Sequence, residues 1–70
     1  SRGRLSQEDR DTSSRLKTDI DKFVDENTIR FISEGVTDST WDNYLETLQS
    51  IGLEEYVSLS QKSYDAFNKN

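Results

Sequence analysis

From Leu16 onward the apolar residues fall at Ile20, Phe23, Val24 and Phe31, the four- and three-residue steps that lay one stripe along a helix. Ile29 and Ile32 are expected to widen that stripe. The pairs Lys22 with Glu26, Glu26 with Arg30, and Arg30 with Glu34 stand four apart, each adding a few tenths of a kcal/mol to a helix. This first helix should end near Ser33 or Glu34, because Gly35 can adopt the left-handed conformation that closes a helix. At its start, Ser6 with Asp9, or Asp11 or Thr12, can each accept from the first exposed amides.

Val36-Thr37-Asp38-Ser39 reads as a short connection, with Asp38 or Ser39 as the cap of a second helix over about Thr40 to Ile51. Trp41, Tyr44, Leu45, Leu48 and Ile51 recur at three- and four-residue steps, leaving Asp42, Asn43, Glu46 and Gln49 for water. Gly52 closes this helix, and the period resumes at once through Leu53, Tyr56, Val57, Leu59 or Ser60, Tyr64 and Phe67. Glu54 and Glu55 suit the positive amino end of a third helix, roughly Leu53 to Phe67. Connections this short make neighbouring helices turn sharply or double back. The predicted fold is all-α: a long helix, then two shorter ones broken at Gly52. Residues 1–11 are expected to form a flexible polar start, and residues 12–70 the helical module.

Composition tightens this picture. Seventy residues bury only about 60% of the surface their unfolded chain exposes. The chain has neither Cys nor His, so no disulfide and none of the usual zinc sites can reinforce it. Only 30% of the residues are hydrophobic against 33% charged, a balance that approaches disorder, yet seven aromatics lie within the spaced clusters and favour an ordered body. The net charge of −5 repels phosphate backbones, which excludes nucleic acid as a partner. Arg2, Arg4 and Arg10 make no basic stripe, because Glu8, Asp9 and Asp11 lie among them. No apolar run approaches the roughly 20 residues of a membrane-spanning helix.

Candidate chemistry is sparse. Without His or Cys the commonest general base and the thiolate nucleophile are missing, and none of the ten serines lies in a nucleophile elbow. No catalytic residue, cofactor or metal is therefore expected. Asp19, Asp21, Asp25 and Glu26 are dense enough to raise calcium, but a calcium loop needs alternating ligands around a glycine turn, and these four lie within a predicted helix. Trp41, Tyr44, Tyr56 and Tyr64 could stack against the apolar face of a sugar, with Trp41 the first position to test as a ligand contact. Their helical spacing suits packing equally well, and Phe23, Phe31, Trp41, Tyr44, Leu48, Tyr56 and Tyr64 are the residues expected to form the core or an interface.

A series of short motifs carries more than any one of them. Phe23-Val24-Asp25-Glu26, Phe31-Ile32-Ser33-Glu34-Gly35, Trp41-Asp42-Asn43-Tyr44-Leu45, Ile51-Gly52-Leu53 with Tyr56, and Gln61-Lys62-Ser63-Tyr64-Asp65 follow one another in an order and spacing that resembles the carboxyl-terminal end of family 1 extracellular solute-binding lipoproteins of bacterial carbohydrate ABC importers. The resemblance spans roughly residues 16–67. It departs at Ser60, where an aromatic is common, and at Ser63, where alanine is. It implies a larger two-lobed parent, with a sugar or oligosaccharide held between the lobes. It also implies an extracellular location through a lipid anchor on the parent, and an ABC permease as docking partner. The chain itself would then be a structural segment packed on the parent's remaining lobes. A second resemblance, of Trp41 to Leu45 and Ile51 to Tyr56 to part of a sterile alpha motif domain, implies instead a free-standing protein-interaction module. In that family the glycine-leucine segment comes early and several helices follow it.

Overall fold

The computed structural model describes residues 5–68; the first four residues of the expected polar start and the last two of the chain lie outside them. Helix occupies 91% of the described residues, in three segments with no strand between them: α1 (Gln7–Glu34), α2 (Asp38–Ile51) and α3 (Leu53–Asn68). The all-α reading holds, with both breaks at the expected glycines.

Helix α1 starts earlier than a polar start through residue 11 would have it. The Ser6 hydroxyl accepts from the Asp9 amide at 3.0 Å, and Glu8 and Asp9 occupy the positive first turn. The Gln7 amide then reaches Asp11 at 2.8 Å, so one cap and one i,i+4 bond draw a stretch without apolar residues into the helix. Further along, Arg15 pairs with Asp19, Lys17 with Asp21, and Arg30 with Glu34, all exposed and each contributing little. The expected Lys22–Glu26 and Glu26–Arg30 pairs are not among the ion pairs of the described residues.

At 1.5 Å per residue the 28 residues of α1 span about 42 Å, close to the 48 Å long axis of the molecule, whose other dimensions are both 18 Å. That cross-section is two helices wide. The return stroke is α2 followed by α3: Phe31 meets Trp41, Phe23 meets Tyr44, Leu16 meets Gly52 and Asp9 meets Lys62. Falling numbers on α1 pair with rising numbers on the return, so the fold is an antiparallel helical hairpin whose second arm is interrupted at Gly52.

Its turn is built by the backbone. Gly35, at φ 80° and ψ 177°, donates its N–H to the Phe31 carbonyl at 2.8 Å. Thr37, rather than Asp38 or Ser39, caps α2: its hydroxyl accepts from the Thr40 amide at 3.1 Å, while the Thr40 hydroxyl accepts from the Thr37 amide at 2.9 Å. This is a reciprocal capping box with threonine in the place usually held by Glu or Gln. Asp38 instead supplies negative charge to the first turn.

At the second break Gly52 takes φ 120° and ψ 33°, donates to the Gln49 carbonyl, and accepts from the Tyr56 amide at 3.0 Å, which ends α2 and starts α3 in a single residue. A Cβ on Gly52 would lie 2.8 Å from Leu16 Cδ2. Leu16 is the most deeply buried side chain among the described residues, at 1% exposure, and with Ile20, at 9%, forms their buried core. Absence of a side chain at Gly52 thus lets the return arm close on the centre of α1.

The inner face of α1 runs Leu16, Ile20, Phe23, Asn27 and Phe31, all buried or half-buried. Ile29 does not widen it. At about 100° per residue, Ile29 lies about 200° around the helix from Asn27 and Ile32 about 140°, on the outer face. They are 68% and 80% exposed.

Candidate functional site

The densest cluster of large side chains lies between the carboxyl-terminal half of α1 and α2, where the helical period of each element turns its aromatics toward the other. Tyr44 is its centre. Its ring stacks on Phe23 at a centroid distance of 5.3 Å and 14° between planes, meets Phe31 edge-on at 5.3 Å and 71°, and stacks on Trp41 at 5.2 Å. Phe31 and Trp41 complete the group at 6.3 Å. Offset stacking and edge contacts of this kind add about 0.5–1.5 kcal/mol per pair beyond area burial.

The sequence-derived candidates divide. Phe23, Phe31, Trp41 and Tyr44 come together; Leu48 is half-buried one turn further along α2. Tyr56 and Tyr64 lie on α3, the first half-buried and the second exposed, and no ring pair joins either to the cluster among the described residues. A four-ring platform from Trp41, Tyr44, Tyr56 and Tyr64 does not assemble. Trp41 remains 44% exposed: one part of the indole packs on Tyr44 and Phe31 and the rest faces outward.

Beside the cluster, Phe23, Asn27, Arg30, Thr40, Asn43, Tyr44 and Thr47 line a cleft of about 130 Å³ that does not include Trp41. Its polar groups are partly committed: Asn27 donates to the Phe23 carbonyl at 2.9 Å, and the Arg30 guanidinium points to Glu34 at 3.7 Å. Sites that enclose small molecules usually measure about 300–1,000 Å³, so this cleft is too small to surround a sugar ring. A larger hollow of about 490 Å³ lies along α3 beside Ser58, Gln61, Lys62, Asp65 and Ala66. All five belong to one helix, and Lys62 is already paired with Asp9 and Gln61 with Asp65.

Electrostatics add one perturbed group among the described residues. The Lys17 ammonium is held above its ordinary 10.5, first by its hydrogen bond to Asp21 and then by that carboxylate's charge. The pair is on the surface and faces no cavity. Asp19 and Asp21, half of the acidic group that raised calcium, are each paired with a base on the same helix, and no group of three or more acidic residues is placed to hold a metal among the described residues.

Sequence reasoning missed the cleft residues Asn27, Arg30 and Asn43, because nothing in their spacing marks them; they are neighbours only through the register of α1 against α2. Thr37 was within reach, as a hydroxyl three residues before another hydroxyl.

The chain is similar to the fructooligosaccharide ABC transporter substrate-binding protein FusA of Streptococcus pneumoniae serotype 4, with 30% identity over 66 residues. The match takes in 94% of this chain and spans about 12% of the length of that relative, which supports a distant relationship to sugar-binding proteins of ABC transporters. No protein-family model matches the chain, and no solved structure does.

Proposed function

We propose that these residues are a structural segment, at the carboxyl-terminal end, of an extracellular carbohydrate-binding lipoprotein serving an ABC importer. The observation that carries the reading is the 30% identity to a substrate-binding protein along nearly all of this chain. Two features of the hairpin agree with it. Among the described residues a buried core of two side chains is small for an independent domain, and eight large apolar residues remain exposed, as on a piece whose packing is finished by a larger body. The small cleft is too narrow to surround a sugar and the larger hollow is an open face of one helix, which agrees with a scaffolding role in which the parent's lobes hold the sugar, and the parent carries the anchor and meets the permease.

The test is a graft. The Streptococcus pneumoniae protein carrying these residues in place of the 66 they match is expected to unfold cooperatively and to bind fructooligosaccharide. The isolated 70 residues are expected to show no saturable NMR shift with mono- or oligosaccharides. A graft that neither folds nor binds sugar would overturn the proposal, and saturable shifts around Trp41 in the isolated chain would make the segment a ligand site in its own right.

A further inference from the structure

The two ends of the hairpin differ in charge. Residues 23–51, the half nearest the turn, hold six carboxylates against Arg30 alone, which is the whole net charge of −5; the remaining residues balance eight acids with eight bases. The acids also differ in what they do. Away from the turn, Asp9, Asp11, Asp19, Asp21 and Asp65 each pair with a side chain, and Glu8, Glu54 and Glu55 occupy first turns of helices. Near the turn Glu34 pairs with Arg30 and Asp38 serves a first turn, but Asp25, Glu26, Asp42 and Glu46 have neither a partner among the described residues nor a helix end to stabilise.

The same half exposes Ile29, Ile32 and Val36, and part of Trp41 and Leu45. Ile29 and Ile32 lie on the face of α1 opposite the return arm, with Asp25 and Glu26 four and three residues before Ile29 and so beside it on the helix surface. The outer face of the other half of α1 carries Glu8, Asp11, Arg15, Thr18 and Lys22 and no large apolar side chain. Apolar residues on opposite faces over part of a helix are the pattern of a helix packed on both sides.

We propose that the turn end of the hairpin, through Ile29, Ile32 and Val36, docks on a surface of the parent polypeptide outside these 70 residues that is apolar at its centre and carries Lys and Arg around it. The inference rests on the reading of the chain as part of a larger binding protein. Charge decides the chemistry: a second copy would bring its own −5 to the contact, and anionic lipid is likewise repelled. Size decides the source. A stable interface between separate chains takes about 20–30 residues a side, far more than the few exposed here, whereas a covalently linked surface needs no such area because tethering supplies the effective concentration.

Hydrogen exchange on the graft described above tests the placement. Amides of residues 25–36 are expected to exchange at least about tenfold more slowly in the graft than in the isolated chain, with little change over residues 7–22. A graft that binds sugar while residues 25–36 exchange as in the isolated chain overturns the docking and leaves the parent reading intact. If the graft fails to fold, the parent reading fails, and the surface chemistry is decided on the 70-residue chain by titration with a helical peptide bearing Leu on one face and Lys on its flanks. This peptide is expected to shift residues 25–45 and to bind at least about tenfold more tightly than its Glu-flanked counterpart. Asp25→Lys with Glu26→Lys is expected to erase that preference. Equal binding of the two peptides, or shifts centred on α3, overturns the proposal.

Discussion

Substituting Gly52→Ala perturbs the fold at its narrowest point, through two separable costs. The first is backbone strain: at φ 120° the Cβ of an L residue crowds the carbonyl of the preceding residue, costing about 1–2 kcal/mol. The second is collision: the new Cβ falls 2.8 Å from Leu16 Cδ2, and Leu16 is too well enclosed to move without disturbing its neighbours, adding about 1–3 kcal/mol. Together they come to roughly 2–5 kcal/mol, against a total stability of roughly 4–10 kcal/mol for a chain this size at 0.05–0.15 kcal/mol per residue. At 4–8 °C per kcal/mol the melting temperature should fall by roughly 8–40 °C, read by circular dichroism at the helical band. Leu16→Val removes the colliding atom and should itself cost about 1 kcal/mol. In that background Gly52→Ala should cost about 1–2 kcal/mol less, a coupling within the range found for touching residues. Gly35→Ala is the control, since nothing stands within 4 Å of a Cβ there and only backbone strain applies. Equal costs for Gly52→Ala in the two Leu16 backgrounds would refute the close approach.

Further outcomes follow from the caps, the indole and the one perturbed lysine. Thr37→Ala should lower stability by about 1 kcal/mol in urea unfolding and Thr37→Ser by much less, because serine keeps the oxygen that accepts from the Thr40 amide. Trp41→Ala should cost about 2 kcal/mol, short of the 3–5 of a fully buried ring, because almost half the indole is already in water. An unchanged melting curve would mean the ring does not pack on Tyr44 and Phe31. The Lys17 ammonium should titrate above 10.5 by NMR and return toward that value in Asp21→Asn. Because its folded value is raised, the contribution of the pair is fully present below 10.5 and is lost as pH rises through the folded value; it is an exposed pair, so the loss is small.

The division into three helices was legible because both breaks fall on glycine, the residue that tolerates positive φ, and because the aromatic steps of α2 admit one period. The start of α1 was less so. Apolar period is the main helix signal, and residues 7–15 have none; Ser6, Glu8 and the Gln7–Asp11 bond supply helix by capping and local pairing instead. Ile29 and Ile32, expected to widen the inner stripe, stand two before and one after Phe31, but their angle around the helix sends them outward. The aromatic cluster was half visible: spacing put Trp41 and Tyr44 on one face, but that Phe23 and Phe31 would meet them, rather than Tyr56 and Tyr64, depends on register. So does the Leu16–Gly52 contact, which joins residues 36 positions apart.

The antiparallel pairing also sets an order in which the chain can assemble. Phe31 and Trp41 are ten residues apart, Phe23 and Tyr44 twenty-one, Asp9 and Lys62 fifty-three. Closing the shortest loop first leaves each later contact only a small additional loss of entropy, so the molecule can zip from its turn toward its open end. Mutations among the aromatics should then slow folding, whereas breaking the Asp9–Lys62 bridge should mainly quicken the parting of the two ends.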